Sequence, residues 1–409
     1  MPSLARLAKN LTQKPRLPQL LFQNTNYKVI PPSVKLEEEA FEDYYSSGKY
    51  YPVRIGEVLA SKYQVVGKLG FGVSSTVWLA RDLESHGHVS LKVFTRDHQN
   101  DGEIAVSKHL SEGDSSHIGK NYVRTALDSF TIPRAGGEHG CLVHKPLWGS
   151  MQDLISRNPY RTKLTVELVR ETLIRLFLAL HYLHTDRDII HTDISAHNIL
   201  LNFNNTSHLN TFVRQELENP SPRKRVGDST IYASRLFPWP GTGEPVLSDF
   251  ASAERGDAQN TRDAGPNLYR APEAMLEMPW SNSIDIWNVG TMIWHLFEDK
   301  PLFRGRVSSD ERYTTRVHLA ELVAVLGSPP VEFIRRGKRG EEFFDNDGNL
   351  LNPVPEITPT PLEHIEENLE GRDQELFLEF IRSMLQWVPE KRKSAGELLG
   401  DPWLNGEIE

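Results

Sequence analysis

The chain has 409 residues, of which 38% are hydrophobic and 25% charged, values that are ordinary for a globular protein with one large or two modest cores. Its formal charge of −9 argues against general nucleic-acid affinity, which needs clustered Lys and Arg. A single cysteine, Cys141, excludes an intramolecular disulfide and a cysteine-rich zinc site. Without an apolar run long enough to span a membrane, or a secretory signal, we expect a soluble protein in a reducing compartment.

Residues 1–45 predict a basic, disordered arm. All basic residues up to position 36 precede the first acidic residue, Glu37; they are Arg6, Lys9, Lys14, Arg16, Lys28 and Lys35. The same charge bias is typical of a mitochondrial presequence, which stays open as an alternative. Pro15 and Pro18 would interrupt a long amphipathic helix there. We therefore expect a cytoplasmic protein, with a nuclear location as a further alternative.

Two periodicities follow one another along the chain. Residues 63–93 alternate short β-branched runs with glycines, which predicts an antiparallel sheet. Apolar residues then recur three or four apart, as in an amphipathic helix, at Val169, Leu173, Leu176, Leu180 and Leu183. Residues 284–297 are apolar on nearly every side, which predicts a buried helix. Further helical patterns lie near 319–326 and 375–387.

We therefore predict an α+β fold, with a β-rich region over 46–147, a helical region over 148–404 and a tail over 405–409. Residues 202–245 interrupt the helical region. They are rich in Asn, Ser and Pro and carry no sustained period, which predicts an inserted loop. Its basic run, 222–225, is interpreted as a solvated surface, with a nuclear-import or docking signal as the alternative.

A glycine-rich segment, residues 69–77, lies between two strand patterns. A hairpin there would let the backbone N–H groups near Gly70 and Gly72 approach phosphate oxygens. The segment alone also fits an ordinary glycine turn. Lys92 in the next strand adds a cation, although a lone strand lysine can be a solvated edge residue.

A short polar loop between two apolar runs carries Asp193 and Asn198, five residues apart, so that a base and a metal ligand can share one turn. Asp249 follows a predicted strand and offers a second acidic ligand. Farther along, Glu273 ends a Tyr-Arg-Ala-Pro-Glu segment, and Asp285 opens the buried helix. The probability that these motifs occur in this order by chance is negligible.

These motifs resemble those of the eukaryotic protein kinase family over about residues 63–404. The resemblance implies a bilobal fold and transfer of the γ-phosphate of Mg-ATP to a serine or threonine of a protein substrate. We expect a monomer without nucleic-acid or membrane partners. The ATP site implied by the family consists of Leu69, Gly70, Gly72, Val77, Lys92, Glu103, Lys145 and Leu147.

The resemblance also implies roles for single residues. Lys92 would hold the α- and β-phosphates and pair with Glu103, with Glu112 as the alternative partner. Asp193 would be the catalytic base. Asn198 and Asp249 would bind Mg²⁺, which prefers oxygen ligands. Structural roles are implied for Glu273, Asp285 and Arg392, with Glu273 and Arg392 forming a buried ion pair. His144 would lie at the back of the adenine pocket, or be a partly exposed strand-end histidine.

Among kinases, the chain resembles the SR-protein (serine/arginine-rich) kinases, especially their fungal members. The resembling segments are 51–56, Ser75 in place of a loop glycine, 191–193, the insertion 202–245, 326–330 and 343–348. SR-protein kinases dock Arg-rich substrates with acidic residues, whereas 314–316 and 335–339 are polar or basic here. The sequence therefore leaves recognition of Arg/Ser repeats open.

Three positions depart from the family pattern. Ser195 replaces a lysine that contacts the γ-phosphate, which predicts a lower rate. Ala251 replaces a glycine. Because of these two changes, a pseudokinase scaffold and a weakly active kinase stay open as alternatives. A small-molecule phosphotransferase is a third alternative, although such enzymes normally lack the segment that ends at Glu273. Thr192 replaces an arginine that pairs with a phosphorylated residue, which predicts an activation segment ordered without phosphate.

Overall fold

The computed structural model describes residues 15–40, 48–96, 101–112, 116–157, 164–227, 229–238, 243–256 and 260–407. Parts of the predicted arm (1–14 and 41–45), of the β-rich region (46–47 and 97–100), of the insertion (228 and 239–242) and of the tail (408–409) lie outside the described residues. The chain forms two compact units, one of residues 1–111, 125–148 and 202–243, the other of 112–124, 149–201 and 244–409. Within the described residues, no helix has the length and apolar character needed to cross a bilayer.

The first unit is built on a six-stranded antiparallel sheet, which confirms the predicted β-rich region. Its strands are β1 (Val58–Leu59), β2 (Tyr63–Phe71), β3 (Ser75–Asp82), β4 (His88–Phe94), β5 (Ala126–Arg134) and β6 (Gly137–His144). The spatial order is β1-β2-β3-β4-β6-β5. Apolar residues from one face form a core that includes Val65, Trp78, Leu91 and Val143. The helix Asp101–Ser111 completes the sheet-based part of this unit.

The described part of the N-terminal arm is ordered, so the prediction of a disordered arm is wrong for residues 15–40. The backbone N–H of Leu17 donates to the carbonyl of Leu83 at 2.8 Å. Leu20 exchanges two hydrogen bonds of 2.9 Å with the buried side chain of Gln64. The segment ends in a short 3₁₀ helix, Glu37–Ala40. Sequence periodicity missed the arm because its hydrogen-bond partners lie in distant strands.

The prediction of an irregular loop over 202–245 is also wrong. This segment contains the helix Ser207–Glu218 and a two-stranded hairpin, Arg223–Val226 with Ser229–Tyr232. The helix packs so closely on β2 that a Cβ added to Gly67 would lie 2.8 Å from the ring of Phe212. A glycine is therefore required at that contact. The basic run is not a solvated surface throughout, because Lys224 is buried and ion-paired with Glu39 at 2.8 Å.

The second unit is mainly helical. Its helices are Met151–Ser156, Val166–Tyr182, Pro272–Met275, Ser283–Glu298, Thr315–Leu326, Val331–Ile334, Gly340–Phe343, Leu362–Ile365, Gly371–Met384, Ala395–Leu398 and Pro402–Asn405. A π-helical turn (Leu183–Arg187) and 3₁₀ turns (Ile118–Tyr122, Asn267–Tyr269, Pro389–Lys391) connect some of them. Ser283–Glu298 is buried almost all round, as its apolar sequence predicts.

Short antiparallel strand pairs position the polar loops of this unit. Ile189–Ile190 pairs with Glu254–Arg255, and Ile199–Leu201 pairs with Pro245–Leu247. The loop 191–198 therefore begins and ends on strands, and residues 248–250 leave the strand beside it. This arrangement brings two polar loops, distant in sequence, to the same place.

Candidate active site

Candidate functional residues occur in both units. In the first, the sheet register places three of them side by side. Gly70 of β2 is opposite Val77 of β3, and Val77 is opposite Lys92 of β4. A Cβ added at Gly70 or Gly72 would meet no atom within 4 Å. The glycines therefore leave open space over the backbone, the feature that a phosphate group needs to reach backbone N–H groups.

Lys92 and Glu103 form a nearly buried ion pair. The Nζ atom of Lys92 donates to both carboxylate oxygens of Glu103, at 2.7 and 2.9 Å. The side chains are only 14% and 5% exposed. A cation held in this way has a fixed position, whereas an unpaired strand lysine would extend into water. This contact identifies Glu103, rather than the alternative Glu112, as a partner of Lys92.

The remaining first-unit candidates lie on β2 and β3, at the end of β6 and just beyond it. Leu69 and Val77 are half-buried and Leu147 is buried. Lys145 is exposed, and its Nζ atom donates to the side chain of Asn202 at 3.3 Å. His144 is 6% exposed, so the alternative of a partly exposed histidine is wrong.

In the second unit, one amide side chain connects the predicted base to the predicted metal ligand. The Nδ2 atom of Asn198 donates to both the backbone carbonyl and the Oδ2 atom of Asp193, each at 2.8 Å. This uses the nitrogen of the amide and leaves its oxygen, Oδ1, for another partner. The hydrogen bonds also hold the Asp193 carboxylate in one orientation.

Two buried side chains, those of Asp285 and His191, anchor the loop around Asp193. Asp285, which is fully buried, accepts hydrogen bonds from the backbone N–H groups of His191 and Thr192 at 2.9 and 2.8 Å. His191 accepts from the N–H of Asp193 at 3.3 Å through Nδ1. Its Nε2 atom therefore carries the proton and donates to the carbonyl of Ser248 at 3.0 Å. The loop and the strand end before Asp249 are thus linked by a single imidazole.

Asp249 is exposed and has a positive φ of 64°. The pKa of Asp193 is raised, chiefly because burial penalises the carboxylate and also because Asp249 lies nearby; the hydrogen bond from Asn198 opposes the shift. The exposed carboxylate of Asp249 and the amide oxygen of Asn198 are suitable ligands for Mg²⁺. Within the described ranges, no three His, Cys, Asp or Glu side chains cluster into a metal site.

Thr192 makes a contact that its sequence position does not reveal. It is a β-branched residue at φ 68°, a conformation that is strained for such residues. Its hydroxyl donates to the carbonyl of Ser252 at 2.8 Å, which ties the loop to the chain after Asp249. Of the other two positions that depart from the family pattern, Ser195 is buried and Ala251 is exposed. The N–H of Ala251 lies 3.4 Å from the Oδ1 atom of Asp249.

Glu273 and Arg392 form a buried bidentate ion pair with N–O distances of 2.6 and 2.7 Å. Their side chains are 1% and 0% exposed. Arg392 also donates to the carbonyls of Ser283 and Gln386, each at 3.0 Å. The guanidinium is thereby satisfied by partners on three segments, which fixes the end of the segment that runs from Asp249 to Glu273.

A cleft of about 470 Å³ opens beside Asp193. Among the described residues that line it, the two basic ones are paired with acids: Arg262 with Glu254 at 3.0 Å, and Arg270 with Asp263 at 3.1 Å. The described lining is therefore close to neutral apart from Asp193 itself. Its position makes it the candidate site for the segment that carries the acceptor hydroxyl.

Sequence reasoning missed two contacts to the glycine-rich segment. Lys68, just before it, is fully buried and ion-paired with Glu38 of the arm. Tyr50 donates its hydroxyl proton to the carbonyls of Gly72 and Val73. Lys68 could have been suspected, because a lysine inside an apolar strand needs a buried counter-charge. Nothing in the sequence signals Tyr50, since its partners are backbone carbonyls.

Comparison with known proteins identifies the family. Residues 63–404 match the model of the protein kinase domain. A serine/threonine protein kinase of Aspergillus fumigatus is 38% identical over 99% of both chains. Serine/threonine-protein kinase SRPK of Physarum polycephalum is 31% identical over 90% of this chain and 91% of its own.

Protein kinase dsk1 of Schizosaccharomyces pombe is 27% identical over 92% of this chain and 87% of its own. The resemblance to the SR-protein kinases is thus confirmed at the level of distant relatives, and the predicted α+β kinase fold is confirmed as well. The chain belongs to the protein kinase family and is a serine/threonine protein kinase.

Proposed function

We propose that Asp193 is the catalytic base for transfer of the γ-phosphate of Mg-ATP to a serine or threonine hydroxyl of a protein substrate. The observation that carries this proposal is the pair of 2.8 Å hydrogen bonds from Asn198 to Asp193. They orient a carboxylate that borders an open cleft. A base acts only when its oxygen is positioned toward the proton that it removes.

The same amide supports the proposed metal site. Asn198 turns its nitrogen toward Asp193, so its Oδ1 atom, together with the exposed carboxylate of Asp249, is suited to Mg²⁺. Bound Mg²⁺ would neutralise charge on the phosphates during transfer. For ATP, support comes from the Lys92–Glu103 ion pair and from the open space over Gly70 and Gly72.

The pseudokinase alternative rests on Ser195 and Ala251. Neither change removes a group that the proposed chemistry requires, because the base, both metal ligands and the phosphate-facing lysine are present as Asp193, Asn198, Asp249 and Lys92. The loss of one lysine contact to the γ-phosphate lowers the expected rate. An active enzyme with a reduced rate is therefore the better supported function.

We also propose that the described parts of the activation segment, 249–256 and 260–273, are ordered without phosphorylation. The hydroxyl of Thr192 holds the carbonyl of Ser252, and the Glu273–Arg392 pair holds the far end of the segment. Two internal anchors replace the contact that a phosphate would make with an arginine.

The charges in the cleft bear on substrate choice. Since Arg262 and Arg270 are each paired with an acid, the cleft offers little net charge to the residues that flank the acceptor. We propose that the substrate is a protein segment without a strict requirement for arginine beside the acceptor. We further propose a cytoplasmic or nuclear protein that retains residues 15–40, because cleavage as a presequence would remove hydrogen bonds such as Leu17–Leu83.

The test of the proposed base is Asp193→Asn, with Asp347→Asn, a carboxylate on an exposed turn, as the matched control. We expect Asp193→Asn to abolish transfer to a serine/threonine peptide library while ATP affinity, measured by a fluorescent analogue, stays within a few-fold. Asp347→Asn should retain both. Turnover that survives in Asp193→Asn would refute the assignment.

A further inference from the structure

The chain segment that precedes β1 reaches the tip of the glycine-rich loop. The hydroxyl of Tyr50 donates to the carbonyl of Gly72 at 3.1 Å and also to the carbonyl of Val73. Tyr50 is 3% exposed, and burial raises its pKa to about 12. The hydroxyl therefore stays protonated and remains a donor at all physiological pH values.

Tyr50 is itself fixed to the sheet. Its backbone carbonyl accepts a hydrogen bond from the Nη1 atom of Arg134, at the end of β5, at 3.1 Å. The carbonyl of the preceding residue, Lys49, accepts from the N–H of Arg96 at 2.9 Å. Val53, three residues on, belongs to the core of the first unit. The hydroxyl thus links the loop to a rigid part of the sheet.

The root of the same loop is held by the arm. Lys68 is the residue before Leu69, and its side chain is 0% exposed; its partner, Glu38, is 4% exposed. The ammonium also lies over the rings of Phe71 at 5.1 Å and Trp78 at 5.9 Å. Two residues that precede the sheet therefore act at opposite ends of the loop: Glu38 through Lys68, next to the start of the loop, and Tyr50 directly at the tip.

Without Tyr50, the tip would be restrained mainly by two backbone hydrogen bonds, from the N–H of Gly72 to the carbonyl of Ser75 at 2.9 Å and from the N–H of Thr95 to the carbonyl of Ser74 at 2.8 Å. Val73 is 62% exposed, and no atom lies within 4 Å of a Cβ placed on Gly70 or Gly72. Glycine backbones lose the most conformational entropy when they become ordered. A loop that is ordered before the ligand arrives does not incur that loss on binding.

We propose that Tyr50 is a positioning residue for the glycine-rich loop, which it holds in the conformation that receives the phosphates of ATP, with the Glu38–Lys68 pair fixing the base of the loop. The inference rests on the proposed ATP site. In this role Tyr50 acts through the loop and not by contact with ATP or the acceptor. It lowers the KM for ATP by restricting the loop before the nucleotide binds.

The test compares Tyr50→Phe with Tyr63→Phe in the full chain. Tyr63 is also buried, at 2% exposure, and donates a single hydrogen bond to Asp128 at 2.7 Å, away from the loop. Both changes remove one hydroxyl and keep the ring. The loss of one neutral hydrogen bond predicts a rise of about two- to tenfold in the KM for ATP of Tyr50→Phe, with kcat within about twofold. Tyr63→Phe should leave the KM unchanged.

Hydrogen exchange of residues 70–75 without nucleotide gives a second readout that does not depend on activity. Exchange there should be faster in Tyr50→Phe than in wild type, and unchanged in Tyr63→Phe. An unchanged or lower KM, equal effects of the two variants, or unchanged exchange would each overturn the proposal. If the wild-type chain transfers no phosphate, the proposed function fails, while exchange and ATP titration still test the role of Tyr50.

Discussion

Breaking the buried Glu273–Arg392 pair should destabilise the second unit far more than breaking an exposed pair of the same geometry. In Glu273→Gln the guanidinium of Arg392 stays buried without its counter-charge, which costs about 3–5 kcal/mol. For a unit of this size, each kcal/mol lowers Tm by about 2–4 °C. We therefore expect a fall of about 6–20 °C, measured by thermal unfolding followed by tryptophan fluorescence.

The matched control is Glu342→Gln. Arg339 contacts Glu342 in the same bidentate manner, at 2.8 Å for both hydrogen bonds, but the side chains are 32% and 50% exposed. Its loss should lower Tm by no more than about 4 °C. A fall in Glu273→Gln that is no larger than in the control would refute the reasoning.

A double variant separates charge from packing. Glu273→Leu with Arg392→Met removes both charges, which is often tolerated in a protein interior. It also leaves the carbonyls of Ser283 and Gln386 without the hydrogen bonds from Arg392. We therefore expect it to recover part, and not all, of the stability lost in Glu273→Gln.

Three further predictions concern the reaction. Lys92→Ala should raise the KM for ATP and lower kcat, because it removes the cation that faces the phosphates; unchanged steady-state constants would show that Lys92 does not act on the phosphates. Ser195→Lys should raise kcat by about tenfold or more, since a charge-assisted hydrogen bond contributes about 1.5–3 kcal/mol; no gain with any substrate would refute this. Phosphatase treatment should leave turnover unchanged, whereas Thr192→Val should lower turnover, because it removes the hydrogen bond to the carbonyl of Ser252. Activity that is lost on dephosphorylation and restored when Thr261 is rephosphorylated would contradict an activation segment that is ordered by internal contacts.

The contact between Asp193 and Asn198 could be predicted, because two residues five apart in one short polar loop lie close together. The proposed roles, a base and a magnesium ligand that share one turn, require such a short separation. The buried helix Ser283–Glu298 was equally predictable, since an all-round apolar helix has only one stable environment. These features are encoded locally.

The insertion could not be predicted because tertiary contacts replace its local signals. The helix Ser207–Glu218 buries Leu209 and Phe212, but the next position on that face is the charged Glu216. Glu216 is buried because Arg235 and Ser221 satisfy its carboxylate. A polar residue at a core position hides the helical period. The contact between Lys224 and Glu39 spans 185 residues, and no sequence pattern signals it.

The most direct test of the central claim is phosphate transfer by the purified wild-type chain. The experiment incubates the protein with Mg²⁺, ATP labelled at the γ-phosphate and a serine/threonine peptide library, and uses the Asp193→Asn variant as the negative control. We predict labelled phosphoserine or phosphothreonine with the wild-type chain and none with the Asp193→Asn variant. ATP binding by the wild-type chain without transfer to any peptide would contradict the account and favour a pseudokinase scaffold.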